Sequence, residues 1–265
     1  MEWLETKYLY LLLNIFTISI PFWRSFEKKY IDYIGKWGPL FKAIAITGAF
    51  FIIWDVIFTM NGVWGFNPNY LVGLDVFHLP IEEWLFFITI PYACLFIYEV
   101  QKRFVKEDYL ALMGKPFSLL LGFILVASAI GNHEKAYTFW NFLFCGGFLL
   151  IHYFIIRPNF LGRFYFSYAI GLLGFFFVNG ILTGTGIDEP VVWYNNDENL
   201  GIRVGTIPVE DIFYGLLLMR PMPKARQAFH QDDNQGPISD TQLRTRRRAS
   251  ATNSKSKQSS NRPCR

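Results

Sequence analysis

The chain has 265 residues, of which 52% are hydrophobic and 19% aromatic. Several uncharged runs approach the roughly 20 residues needed to cross a bilayer, which excludes a soluble domain built around one core. Net charge is +4, but residues 224–265 hold ten of the 25 Lys and Arg and three of the 21 Asp and Glu, so the remainder is mildly acidic.

The runs predict an all-α, polytopic membrane protein with about seven spans. Span 1 covers residues 8–23; it follows Glu2 and Glu5 rather than a basic segment, so it reads as a mature span and not a signal peptide. Span 2 covers 40–60 and carries one acid, Asp55, beside Trp54. An outer loop without Lys or Arg precedes span 3, at 80–100. Spans 4, 5 and 6 cover 116–131, 137–156 and 164–183. A long polar segment, 184–206, leads to the shortest span, from Ile207 to about Arg220. The loops after spans 1, 3, 5 and 7 carry nearly all the Lys and Arg, so the N-terminus is expected outside and the tail in the cytoplasm, in a membrane such as the bacterial inner membrane. The tail reads as disordered, and its run Arg244-Thr245-Arg246-Arg247-Arg248 as a solvated basic end that can meet anionic lipid.

One pattern occurs twice. Leu79-Pro80-Ile81-Glu82-Glu83 and Ile207-Pro208-Val209-Glu210-Asp211 each read aliphatic, Pro, aliphatic, acid, acid, and each enters an apolar run. The prolines are 128 residues apart (208 − 80). Proline is tolerated in the first turn of a helix, so each stretch predicts a membrane helix whose opening turn carries two carboxyls. The offset predicts two parallel three-helix repeats, residues 1–100 and 137–221, joined by a linker (101–136) holding span 4, with 222–265 as the tail. Span 4 returns the chain to its starting side, so both acid pairs come to the outer face and can share one cavity. A single pair could merely cap its helix and complement the dipole. Two matching pairs make that reading weaker, because carboxyls at membrane depth are costly and tend to be functional.

The residues that flank the pairs resemble a known family. Trp54-Asp55, Gly62-Val63-Trp64-Gly65-Phe66-Asn67-Pro68 and Leu79-Pro80-Ile81-Glu82-Glu83 with Phe86-Phe87 look like the first repeat of the small membrane lycopene cyclases of the heterodimer type. Asp188-Glu189-Pro190-Val191-Val192-Trp193-Tyr194-Asn195 and Gly205-Thr206-Ile207-Pro208-Val209-Glu210-Asp211 resemble the second. The resemblance implies non-redox cyclisation of lycopene to β-carotene through γ-carotene, with the ε-ring as an alternative product. It also implies C40 carotenoids and the bilayer as partners, and other enzymes of carotenoid synthesis as neighbours.

The chemistry suits these residues. A proton must reach the terminal double bond of a polyene, and the resulting cation must be shielded until a proton is lost. Glu82, Glu83, Glu210 and Asp211 are the candidate acids, and Asp55 is a candidate for polarising them or taking the last proton. Helical spacing puts Glu82 with Phe86 and Glu210 with Tyr214. The partner carboxyl or a donor such as Tyr214 is expected to hydrogen-bond the conjugate base, and Trp54, Trp64, Phe86, Trp193, Tyr194 and Tyr214 are candidates for the substrate-facing wall. For Trp64, Trp84 and Trp193 the plainer alternative is an interfacial belt, and for Asp55 a structural hydrogen bond.

Three cysteines without a Cys-x-x-Cys, four scattered histidines and no Gly-x-Gly-x-x-Gly after a strand-like run give no reason to expect a metal or organic cofactor, or nucleic acid. A retinal-type photoreceptor would need a lysine in span 7, which has none. A proton or ion transporter using the carboxyls as a relay remains the main rival, ahead of a non-catalytic carotenoid scaffold.

Overall fold

A computed structural model of the chain describes residues 6–27, 31–156 and 161–219. The expectations for the basic tail fall outside them. Seven α-helices are present among the described residues: α1 (Leu9–Arg24), α2 (Trp37–Met60), α3 (Ile81–Phe104), α4 (Ala111–Gly131), α5 (Ala136–Ile151), α6 (Leu161–Leu182) and α7 (Val209–Leu218). α2 to α6 are long and apolar enough to cross a membrane, α5 being prolonged by a π-helical stretch, His152–Ile156. α1 is apolar but shorter, and α7 is described over ten residues. Five such helices make this a membrane protein.

Burial has the polarity of a lipid-embedded bundle. Leu12, Ile15, Phe16 and Ile20 of α1, Ile46, Phe50 and Ile53 of α2, and Leu120 and Phe123 of α4 are exposed, while Asn14, Thr89, Ser118, Asn141 and Asn179 are buried. In water such an outward apolar face would be unstable, whereas lipid solvates it and leaves the polar groups to find partners inside. α3 packs on α1, α2 and α6, and α5 packs on α4 and α7.

The helices that carry the acid pairs start just after their prolines. Pro80 and Pro208 are extended (ψ 148 and 139) and occupy the N-cap position rather than the first turn. Each closes a short hairpin: β2 (Asp75–Val76) pairs with β3 (Leu79–Pro80), and β5 (Arg203–Val204) with β6 (Ile207–Pro208). Glu82-Glu83 and Glu210-Asp211 therefore lie in first turns, where carboxylates complement the helix dipole.

The outer segments meet in one antiparallel pair, β1 (Trp64–Phe66) with β4 (Val192–Tyr194). Gly65 faces Trp193, a residue 128 positions on. Flanking bonds run from Asn195 N to Val63 O (2.9 Å) and from Asn67 N to Val191 O (2.8 Å), again between positions that exchange under that offset. Asn67 and Asn195 then cap matching 3₁₀ turns, accepting from Asn69 N and Asp197 N.

α4 and α5 approach closely at two glycines. A Cβ on Gly146 would lie 2.8 Å from the Gly122 carbonyl oxygen, a backbone atom that cannot swing away. Gly146→Val should therefore separate the helices and cost about 1–3 kcal/mol. The check is the denaturation midpoint in detergent micelles; an unchanged midpoint would refute the close contact.

Candidate functional site

The two members of each acid pair have different jobs. Glu82 and Glu210 have no exposed surface. Glu82 Oε1 accepts from Val72 N (2.7 Å), and Glu210 Oε1 accepts from Leu200 N (2.8 Å) and from Thr138 Oγ1 (2.6 Å). Val72 and Leu200 are themselves 128 apart and belong to the outer segments. The first acid of each pair thus fastens an outer segment to the start of its helix. From α1 and α5, Asn14 and Asn141 donate to the backbone oxygens of Glu82 (3.1 Å) and Glu210 (2.6 Å).

The second acids face a common cavity of about 60 Å³. Tyr10 of α1 donates to Glu83 (2.5 Å). Tyr137 of α5 donates to Asp211 Oδ1 (2.5 Å), while Asn179 of α6 (2.7 Å) and Tyr194 of β4 (2.9 Å) donate to Oδ2. Burial and the adjacent Asp211 carboxyl push the Tyr194 phenol well above its ordinary pKa, so it stays a donor. Asp55, 3% exposed, brings a third carboxyl to the cavity, which Trp64 also lines. Trp64, Tyr137, Tyr194 and Tyr214 surround these groups with ring centroids 5.0–6.4 Å apart. Among the described residues neither Lys, Arg nor His lines the cavity, and Asp55 Oδ2 and the Tyr214 hydroxyl are buried without a hydrogen-bond partner.

The model of the family described as lycopene cyclase matches residues 7–101 and 134–222, more than half the chain. The chain belongs to the lycopene cyclase family. Each matched stretch contains one acid pair with its tyrosine partner. Among curated proteins, the bifunctional lycopene cyclase/phytoene synthase of Aspergillus oryzae is 25% identical over 157 residues, which is 54% of this chain and 26% of that protein. The chain therefore spans about a quarter of that relative's length. No solved structure matches.

Of the candidates named from sequence, Glu83, Asp211, Asp55, Trp64, Phe86, Tyr194 and Tyr214 are gathered at the cavity of this family member. Glu82, Glu210, Trp54 and Trp193 are not. For the acids the reason is helical phase: the rings Phe86 and Tyr214 reach the cavity with the residues three before them, Glu83 and Asp211, not with those four before. Trp193 follows strand alternation, so Val192 and Tyr194 turn inward and its indole lies outside over Gly65, 43% exposed. Trp54 is buried one layer behind, 5.4 Å from the Tyr214 ring. Tyr214 is not the donor to either acid; Tyr10 and Tyr137 are. Sequence reasoning missed these tyrosines and Asn179. A signal for the tyrosines exists: Tyr10-Leu11-Leu12-Leu13-Asn14 and Tyr137-Thr138-Phe139-Trp140-Asn141 repeat tyrosine and asparagine one helical turn apart.

Glu82→Gln keeps an oxygen for the Val72 N–H and should fold like the wild type, whereas Glu82→Ala leaves that donor unpaired and should lose about 1–3 kcal/mol. Micelle denaturation of the two variants side by side is the measurement. Equal stabilities would contradict a fastening role.

Proposed function

We propose that the protein is a lycopene cyclase, an isomerase that closes the ends of lycopene into rings, giving β-carotene by way of γ-carotene. The observation that carries this reading is the set of three carboxyls, Glu83, Asp211 and Asp55, around one aromatic-walled cavity with no basic side chain among the described residues that line it. Three negative charges cannot be held together there without a counter-ion, so a proton is retained among them. That proton is transferred to the terminal double bond of the polyene. A second double bond attacks the cation and forms the ring-closing carbon–carbon bond, and a proton leaves a ring carbon to a carboxylate of the site. Return of that proton to the donor resets the acids, and no redox equivalent is consumed. Glu83 is the proposed donor, because a single tyrosine holds it and Asp55 lies in the same cavity. Asp211, with three donors, is the proposed site of steady negative charge facing the cation. The faces of Trp64, Tyr137 and Tyr194 add cation–π support.

The same reading includes seven crossings, an outward N-terminus and a bacterial inner membrane. It also includes two three-helix units, residues 1–100 and 137–221, related by a pseudo-twofold axis through the Gly65–Trp193 pair and joined by a linker, 101–136. The register of β1 with β4 supports that axis. The printed name of the fungal relative, which joins a cyclase to a phytoene synthase, supports nearby action of carotenoid-pathway enzymes.

Expression in lycopene-accumulating bacteria, with pigments separated by HPLC, is the test. The wild type should convert lycopene to cyclic products, and Glu83→Gln should slow this by about 100-fold or more while the protein stays in the membrane. Membranes holding the protein, given preformed lycopene in D₂O, should place one deuterium in each new ring. Unchanged lycopene with wild-type protein present would refute the activity. Rings without deuterium would refute initiation by an exchangeable proton.

A further inference from the structure

The reaction cavity is too small for its proposed substrate: about 60 Å³ is the space of a few waters, whereas a C40 polyene is tens of ångströms long. Most of the chain has to lie elsewhere while one end reacts. An apolar groove of about 370 Å³ lies between α2 and α5, lined by Phe50, Phe51, Phe144, Gly147, Phe148 and Ile151 among others. Only one layer of rings separates it from the cavity. Phe51, in the groove wall, lies 4.9 Å from the Tyr214 ring in the cavity wall, and Phe144 touches Trp54 (5.3 Å), which touches Tyr214 (5.4 Å).

The matching helix pair is packed differently. Under the 128-residue offset, α2 against α5 corresponds to α6 against α1. There the helices pack directly, and Phe16 meets Phe177 (5.7 Å). On the α2–α5 side Gly147 leaves open space: an added Cβ would have no neighbour within 4 Å. Glycine exposes helix backbone at a cost of about 0.5–1 kcal/mol relative to alanine, so its place in the groove floor needs a reason, and clearance for a linear chain provides one.

We propose that the α2–α5 groove is the binding site for the uncyclised length of a linear polyene, which enters from the lipid and passes its end between Phe51, Trp54 and Tyr214 to the carboxyls. The inference rests on the cyclase reading for the identity of the polyene. Rotation of Tyr214, whose hydroxyl is unpartnered, opens the wall without breaking a hydrogen bond within the protein.

The test is a binding measurement with purified, full-length protein in detergent, using lycopene as the probe and pigment absorbance of the protein peak after gel filtration as the readout. Gly147→Phe should reduce bound lycopene at least tenfold. Gly147→Ala, and Gly174→Phe on the exposed face of α6, should stay within twofold of the wild type. Matching circular dichroism and elution volumes exclude misfolding of Gly147→Phe; if it misfolds, Gly147→Leu, a smaller filling of the same space, takes its place. Retention of full binding by the filled variant would overturn the proposal. So would displacement of lycopene from the wild type by equimolar phospholipid, which marks a lipid-filled crevice only. Because binding is read directly, a wild type that binds lycopene but never cyclises it refutes the activity and leaves the groove standing.

Discussion

The structure depends on keeping carboxyls buried in an apolar bundle without cations beside them. Glu82, Glu83, Glu210, Asp211 and Asp55 are all less than 10% exposed. The described ion pairs are elsewhere, Arg24 with Glu27 and Lys36 with Glu99. Neutral donors therefore have to satisfy the two pairs: tyrosine hydroxyls, Asn179, Thr138 and the N–H groups of Val72 and Leu200. An isolated ionised carboxyl in such surroundings would cost many kcal/mol, so each of these donors is needed for the bundle as much as for a reaction. The demand explains why tyrosines stand at the start of α1 and α5, and why the outer segments fold back over the ends of α3 and α7.

Those outer segments bury Val63, Trp64, Tyr70, Leu71, Val191 and Val192 in core clusters shared with the helices. Backbone pairing between β1 and β4 and the two glutamates that grip Val72 and Leu200 order them further. One consequence is a lid over the cavity whose halves are interchangeable in backbone and different in side chain. Trp64 and Phe66 reach inward from one half and Val192 and Tyr194 from the other, while Gly65 makes room for the Trp193 indole outside.

Much of this was legible in the sequence. Runs of apolar residues marked all seven helices to within a few residues, and the doubled Pro-x-acid-acid pattern marked the two helix starts that matter. The errors are of two kinds. Span starts moved outward, to Trp37 for α2 and Ala111 for α4; for α4 the reason is Lys115, which a hydropathy reading treats as a border and a helix end tolerates. Helical phase was misjudged because spacings of three and four both place residues on one face, and only tertiary packing decides between Glu82 and Glu83. The partners on other helices were least legible. Nothing local to Asp211 names Tyr137 or Asn179, and only the repeated tyrosine–asparagine spacing in α1 and α5 hints at the first.

Under the proposed two-unit reading, the inner acids Glu83 and Asp211 have unequal company. Tyr10 and Tyr137 are alike, but the second half has Tyr194 where the first has Phe66, so the first lacks that donor. Separately, α6 brings the donor Asn179 to Asp211, while α2 brings a further acid, Asp55, to the cavity. Asp211 is thus surrounded by groups that favour negative charge, and Glu83 by one donor and a competing carboxyl. A symmetric site would offer two equivalent acids, with nothing to decide which gives a proton and which faces the cation. Under the proposed reaction the asymmetry makes that choice, and it does so beside the same Tyr214 whose ring closes the way to the α2–α5 groove. The side on which a chain can approach and the side on which charge is held are then set by the same few differences between the halves.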